Sequence, residues 1–181
     1  MAVVPGSPDE LVVLLDESGA VVGSAPRSRM RRENLRHAST AVLVRRSDGR
    51  IYVHRRSPDK DWQPSAYDAA AGGVLQVGEE PEESARRELE EELGIAGVEL
   101  RSVGVGRYED DTVRCVAHAF EVVHDGPVTH ADGEVVWGGW MTLTELAGRL
   151  ADPAWPFVPD TRALLGRLAA EGVGDYQELS R

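Results

Sequence analysis

The segment Pro81–Gly94, PEESARRELEEELG, can hardly be anything other than an amphipathic helix. Proline suits the first helical turn, acidic residues favour its positive N-terminal end, and Gly94 suits the stop. At about 100° per residue, Ala85, Leu89 and Leu93 fall on one apolar stripe. Glu88, Glu91 and Glu92 form a second stripe beside it. Packing the first stripe on a sheet leaves the carboxylates at the edge of that contact. Glu88 and Glu92 are an i,i+4 like-charge pair, which costs an isolated helix roughly 0.2–0.5 kcal/mol. Arg87, four residues before Glu91, offsets part of this repulsion. A divalent cation offsets more, because Mg²⁺ takes oxygen ligands and bridges carboxylates to substrate phosphates.

The rest of the chain reads as short strands around this helix. Residues 1–8 hold Pro5, Gly6 and Pro8 and read as a flexible arm, with 9–181 as one domain. Leu11–Leu15 and Ala20–Ser24 flank a turn cluster and predict an N-terminal β-hairpin. Arg27–Arg36 is basic and reads as a loop or short helix. Ala41–Val44 and Ile51–Val53 flank Ser47-Asp48-Gly49, a second hairpin signal. A loop is expected over 57–66, then a strand from Tyr67 to Leu75 bent at Gly72-Gly73. Val98–Tyr108, Val113–Val123 and Val135–Met141 are further β-rich runs, and Thr142–Leu150 and Asp160–Glu171 read as helices. This order gives an α/β fold.

Composition narrows the functions. Lys+Arg is 20 against 31 for Asp+Glu, a formal net charge of −11. That argues against nucleic-acid binding, which needs positive charge on phosphates. An anionic substrate then requires local cations or metal ions. The one cysteine, Cys115, allows no disulfide within the chain and fits a cytoplasmic setting. No long apolar run predicts a membrane span or signal peptide.

The helix sits in a longer pattern: Gly73, five residues, Glu79, seven residues, Arg87-Glu88, an aliphatic, any residue, Glu91-Glu92, any residue, Gly94, an aliphatic. Residues 73–95 thus resemble the signature of the Nudix hydrolase superfamily. The resemblance implies a Nudix-type α/β/α sandwich with a mixed sheet. It also implies Mg²⁺- or Mn²⁺-dependent cleavage of a diphosphate joined to another moiety. Carried over by position, Glu91 and Glu92 are metal ligands, Glu88 is a ligand or the base, and Arg87 orients the glutamates. The carbonyl of Gly72 is a further candidate ligand. Glu134, in GEVVWGGW, corresponds to an extra carboxylate found outside the motif in some relatives, with Asp132 as its substitute.

Residues 10–95 are also similar in layout to isopentenyl-diphosphate isomerases. Those enzymes carry a cysteine immediately before the first glycine of the motif; here that residue is Gly72. Their later catalytic glutamate falls near Val113, where there is no acid, and a metal-site histidine corresponds to Val74. His37 matches one histidine of their metal site. The expectation is therefore an isomerase-shaped hydrolase, with isomerase chemistry or a non-catalytic nucleotide-sensing module as the alternatives. Arg55, Arg56 and Lys60 are the cations expected for the diphosphate, through bidentate guanidinium and point-charge contacts. Strand alternation lets only one of Arg55 and Arg56 face the pocket. Trp62, Tyr67 and Trp137 are candidates for stacking or core. His54, His118 and Cys115 read as structural. The substrate expected is a nucleoside di- or triphosphate or related nucleotide derivative, and the assembly expected is a homodimer.

Overall fold

Leu43 in the strand β3 (His37–Arg45) points to one helical layer, while its neighbours Val42 and Val44 point to the other. This alternation divides the core in two. The structure is a computed structural model and describes residues 9–180. The flexible arm expected at 1–8 lies outside these residues.

The hairpin of β1 (Leu11–Leu15) and β2 (Val21–Pro26) forms as expected and joins the sheet where Leu14 pairs with His37. The basic stretch after it becomes a short helix, α1 (Arg27–Arg32), pinned by buried Met30 against Val12 and Val74. β3 runs antiparallel to β4 (Ile51–Arg56) and parallel to β8 (Arg114–Val123). β8 in turn pairs antiparallel with β7 (Arg101–Glu109), and β4 with β9 (Val135–Met141). The segment expected as one bent strand is broken into β5 (Tyr67–Asp68) and β6 (Ala70–Ala71), followed by isolated bridges at Val74 and Gln76. The result is one mixed nine-stranded sheet.

The helix α2 (Pro81–Leu93) covers one face. Glu80 and Glu83 form a capping box at its start, and Gly94 ends it in the left-handed conformation, with φ 65°. Ala85, Leu89 and Leu93 are buried against Val42, Val44, Phe120 and Val122. Each buried leucine contributes about 1.5–3 kcal/mol. On the other face lie α3 (Leu143–Leu150) and α4 (Pro159–Ala170), packed on Leu43, Ile51, Val53 and Ala119. Thr142 is the N-cap of α3 rather than its first turn, its hydroxyl accepting from the Glu145 N–H at 3.1 Å. A closing 3₁₀ turn (Tyr176–Ser180) buries Tyr176 in the same core. The architecture is the α/β/α sandwich with an N-terminal hairpin that the sequence pointed to. No helix among the described residues is long and apolar enough to cross a membrane.

Candidate active site

A cleft of about 380 Å³ opens between α1, the loop 57–66, the start of α4 and the polar stripe of α2. Its acidic wall is built by local sequence. Glu88 and Glu91 line the cleft one turn apart on α2, while Glu92 lies behind them and is 1 % exposed. Arg87 organises the group. Its Nε and Nη2 donate to both oxygens of Glu79 at 2.7 and 3.1 Å, and its Nη1 donates to Glu88 at 2.8 Å and Glu91 at 3.1 Å. Burial opposes the charge of Arg87, but Glu79 and Glu88 outweigh it and raise its pKa.

Gly72 and Gly73 bring the chain against this wall. A Cβ at Gly73 would occupy the space of the Glu88 carboxyl, and one at Gly72 would overlap the Thr40 carbonyl oxygen. Only glycine allows both approaches. The Gly72 N–H donates to Glu92 Oε2 at 3.2 Å. Glu92 Oε1 accepts from Lys60 at 3.3 Å, and Lys60 also pairs with Glu134. Glu134 is therefore brought beside the helix by a shared lysine, and its own N–H is held by Asp132 Oδ1 at 2.8 Å. Both Asp132 and Glu134 line the cleft.

These carboxylates are held at an electrostatic cost. Burial pushes Glu92 up to about 8, only partly opposed by Lys60. Burial also raises Glu88 despite Arg87 beside it. Among the described residues, no group of three or more His, Cys, Asp or Glu is gathered closely enough to hold a metal ion by itself. The reason is visible: Arg87 stands between Glu88 and Glu91, and Lys60 between Glu92 and Glu134. The donor set nevertheless fits a hard cation. It offers oxygen donors only, carboxylates together with the Gly72 carbonyl, and the missing side chain at Gly73 lets the Glu88 carboxyl sit against the backbone. The buried Thr40 hydroxyl, also on the cleft, has no hydrogen-bond partner.

The cationic wall departs from expectation in two places. Arg55 does not line the cleft. It is exposed, donates to the Ser65 carbonyl at 3.1 Å and lies 5.8 Å from the Tyr67 ring. Arg56 does line it, on the opposite face of β4 from Arg55. It donates to the carbonyls of Trp62 and Gln63 and lies 4.0 Å from buried Asp68. Lys60, expected to meet phosphate, is engaged by the acidic wall instead. In the place of Arg55 stand Arg27 and Arg31 of α1, which sequence reasoning missed. Their signal was four-residue spacing in a basic stretch.

Asp160 was also missed, having read only as the start of a helix. It lines the cleft with Thr161, and burial together with the nearby Asp68 pushes it up to about 7. Cys115, expected in the core, is buried but forms part of the cleft wall, 4.0 Å from Asp160. Burial raises its thiol to about 12, so it is protonated near neutrality. Trp62 lines the cleft and is tied by its indole N–H to the Thr112 hydroxyl at 3.1 Å. Tyr67 and Trp137 instead pack edge to face with ring centres 5.9 Å apart. His54 is buried as expected. His37 is buried too, with Nδ1 3.0 Å from the Leu35 carbonyl, but its ring also reaches the cleft.

Known proteins resemble this chain. Residues 35–161 match the NUDIX domain model. The chain is 46 % identical over 167 residues to the Nudix hydrolase orf19 of Rhodococcus erythropolis, covering 87 % of this chain and 90 % of that one. It is 40 % identical over 152 residues to the Nudix hydrolase YfcD of Escherichia coli K12, covering 84 % and 82 %. Among solved structures, DR0079 from Deinococcus radiodurans superposes with a TM-score of 0.76 at 29 % identity, over 87 % of this chain and 98 % of that one.

Proposed function

The chain belongs to the Nudix hydrolases, enzymes acting on phosphorus-containing acid anhydrides and generally using divalent metals, and on that premise we propose that it hydrolyses a diphosphate linkage in a nucleoside di- or triphosphate or a related nucleotide derivative, with Mg²⁺ or Mn²⁺. The observation that carries this reading is the pair Glu88 and Glu92. Both carboxylates are forced toward neutrality by burial, yet both are kept beside an open cleft with a cationic far wall. Such a cost is sustained where a ligand cation and a phosphate restore the balance.

In this reading Glu88, Glu91 and Glu92, with the Gly72 carbonyl, would hold the metal. When bound, it neutralises phosphate charge and acidifies the attacking water. Arg87 fixes the spacing of Glu88 and Glu91, whose carboxylates face the cleft, and one of the two takes the proton of that water. Glu134 supports the same step from the opposite loop. Were a metal to draw Glu92 away from Lys60, Lys60 would be free to meet the phosphates in the cleft that Arg56 also lines. Water oxygen bonds to phosphorus, the bridging P–O bond breaks, and the leaving phosphate carries off the electron pair. Residues 9–181 act here as one domain.

The likeness of residues 10–95 to the isomerases extends to layout and not to chemistry. The position of their cysteine has no room for any side chain, because the Thr40 carbonyl occupies it. The test is a panel of nucleoside di- and triphosphates, nucleotide sugars and coenzymes with Mg²⁺ or Mn²⁺. Release of phosphate or a monophosphate, abolished by chelation, is the expected result. Folded protein that binds nucleotides but turns over none of them would overturn the reading in favour of a sensing module.

A further inference from the structure

The α1 wall contains a cation that the fold leaves undersupplied. Arg27 and Arg31 are one turn apart, so both face the cleft once Met30 is buried behind them. Arg27 takes both oxygens of Asp61, at 2.9 and 3.2 Å, and lies 3.6 Å from Glu10. Arg31 is left with a 3.5 Å ion pair from Nε to Asp61 Oδ2, too poorly aligned to count as a hydrogen bond for that buried Nε. Its guanidinium lies 5.6 Å from the Trp62 ring centre. A guanidinium stacked this way keeps its in-plane N–H groups for an acceptor. Burial disfavours its charge, Asp61 supports it, and Arg27 and Arg56 repel it, with a net fall in its pKa. Three guanidiniums thus converge on one cleft of a chain whose net charge is −11. Arg27 is close enough to Glu88 to feel its charge, and both line the same cleft.

We propose that Arg31, backed by Arg27, receives the terminal phosphoryl group of the substrate, so that the enzyme favours diphosphates with a free outer phosphate over those capped at both ends. This rests on the hydrolase reading above and adds a substrate class to it. A free terminal phosphate carries up to two negative charges and matches two guanidiniums; a capped one carries a single charge. The hairpin extension then has a role, because it is what positions α1 against the loop 57–66.

The test separates the two readings. Binding of inorganic pyrophosphate is measured by calorimetry without metal, and turnover of ADP and ADP-ribose with Mg²⁺. Arg31→Gln is expected to weaken pyrophosphate binding by roughly ten- to a hundredfold, the value of one charge-assisted hydrogen bond. It should raise KM for ADP more than for ADP-ribose. Arg31→Lys should restore part of the loss, and Arg55→Gln should change nothing. Should Arg31→Gln fold poorly, Arg31→Met keeps the stem against Trp62 and gives the same readout. Unchanged pyrophosphate affinity, or equal losses on capped and uncapped substrates, would overturn the proposal while leaving the hydrolase reading intact. Arg31-dependent pyrophosphate binding in a wild-type protein that hydrolyses nothing would uphold the anion site and remove the hydrolase reading.

Discussion

Two clusters of charge lie toward opposite ends of β3, and they are built on opposite principles. At its C-terminal end Arg45 donates to both oxygens of Asp175, at 2.9 and 2.7 Å, and to the Gly49 carbonyl at 2.6 Å. Its guanidinium lies 4.9 Å from the Tyr176 ring, and the Tyr176 hydroxyl donates to Glu121 at 2.6 Å. Here each charge has a counter-charge, although the buried Arg45 Nε makes no hydrogen bond: the hydrogen bond from Arg45 lowers Asp175, and Asp175 and Tyr176 outweigh burial to raise Arg45. In the cleft the signs run the other way. Glu88, Glu92 and Asp160 are all raised, with burial as the leading cause. The Arg45 cluster ties the C-terminal turn to the sheet; the cleft keeps carboxylates in an environment that disfavours their charge.

The largest expected effect is at Glu92. Glu92→Gln should reduce turnover by more than the roughly 10–100-fold that outer partners of a bound metal contribute. The melting temperature without metal should hold or rise, since a buried charge has been removed. A melt that falls steeply alongside activity would erase the contrast with Arg45, because both clusters would then be structural.

The glycines come next. Gly72→Cys places a side chain on the Thr40 carbonyl, and overpacking of this kind costs about 1–3 kcal/mol, read from chemical denaturation. No isomerase activity should appear in the surviving folded fraction. Gly73→Ala meets only the end of the Glu88 side chain, which can move, so it should cost less stability and more turnover.

A smaller effect is expected at the compensated cluster. Asp175 is 46 % exposed, so Asp175→Asn should destabilise by only about 1 kcal/mol and leave kcat unchanged. A change in kcat would mean that this cluster communicates with the site.

The smallest effect is in the pH dependence of stability, where the two regions should have opposite slopes. The raised pKa of Asp160 contributes stability that is complete below its unfolded value and lost as pH rises through about 7. The lowered pKa of Asp175 contributes stability present above its unfolded value and lost as pH falls through the folded one. Melting curves of Asp160→Asn should lose the first slope, and those of Asp175→Asn the second. Retention of the near-neutral slope in Asp160→Asn would assign it to another cleft carboxylate.

What the sequence determined was local. A proline, acidic residues in the first turn, a glycine stop and apolar spacing placed α2 at Pro81–Leu93, because helix signals act within a few turns of chain. β9 was legible for the same reason, from a β-rich run bounded by turn residues. The motif placed Glu88, Glu91 and Glu92 on one stripe and Arg87 beside them, since those distances are fixed by one helix. Tertiary structure decided which groups meet across the chain. Strand alternation put Arg55 and Arg56 on opposite faces, and the placement of β4 in the sheet decided that Arg56 was the one to face the cleft. Packing of Met30 aimed Arg27 and Arg31 at the cleft, and the loop 57–66 carried Lys60 to the carboxylates instead of leaving it open. Asp160 became a cleft residue only because α4 docks beside β8. Spacing along a helix can be counted from the chain. Burial and electrostatic neighbourhood depend on contacts between residues tens of positions apart, and no local pattern encodes those.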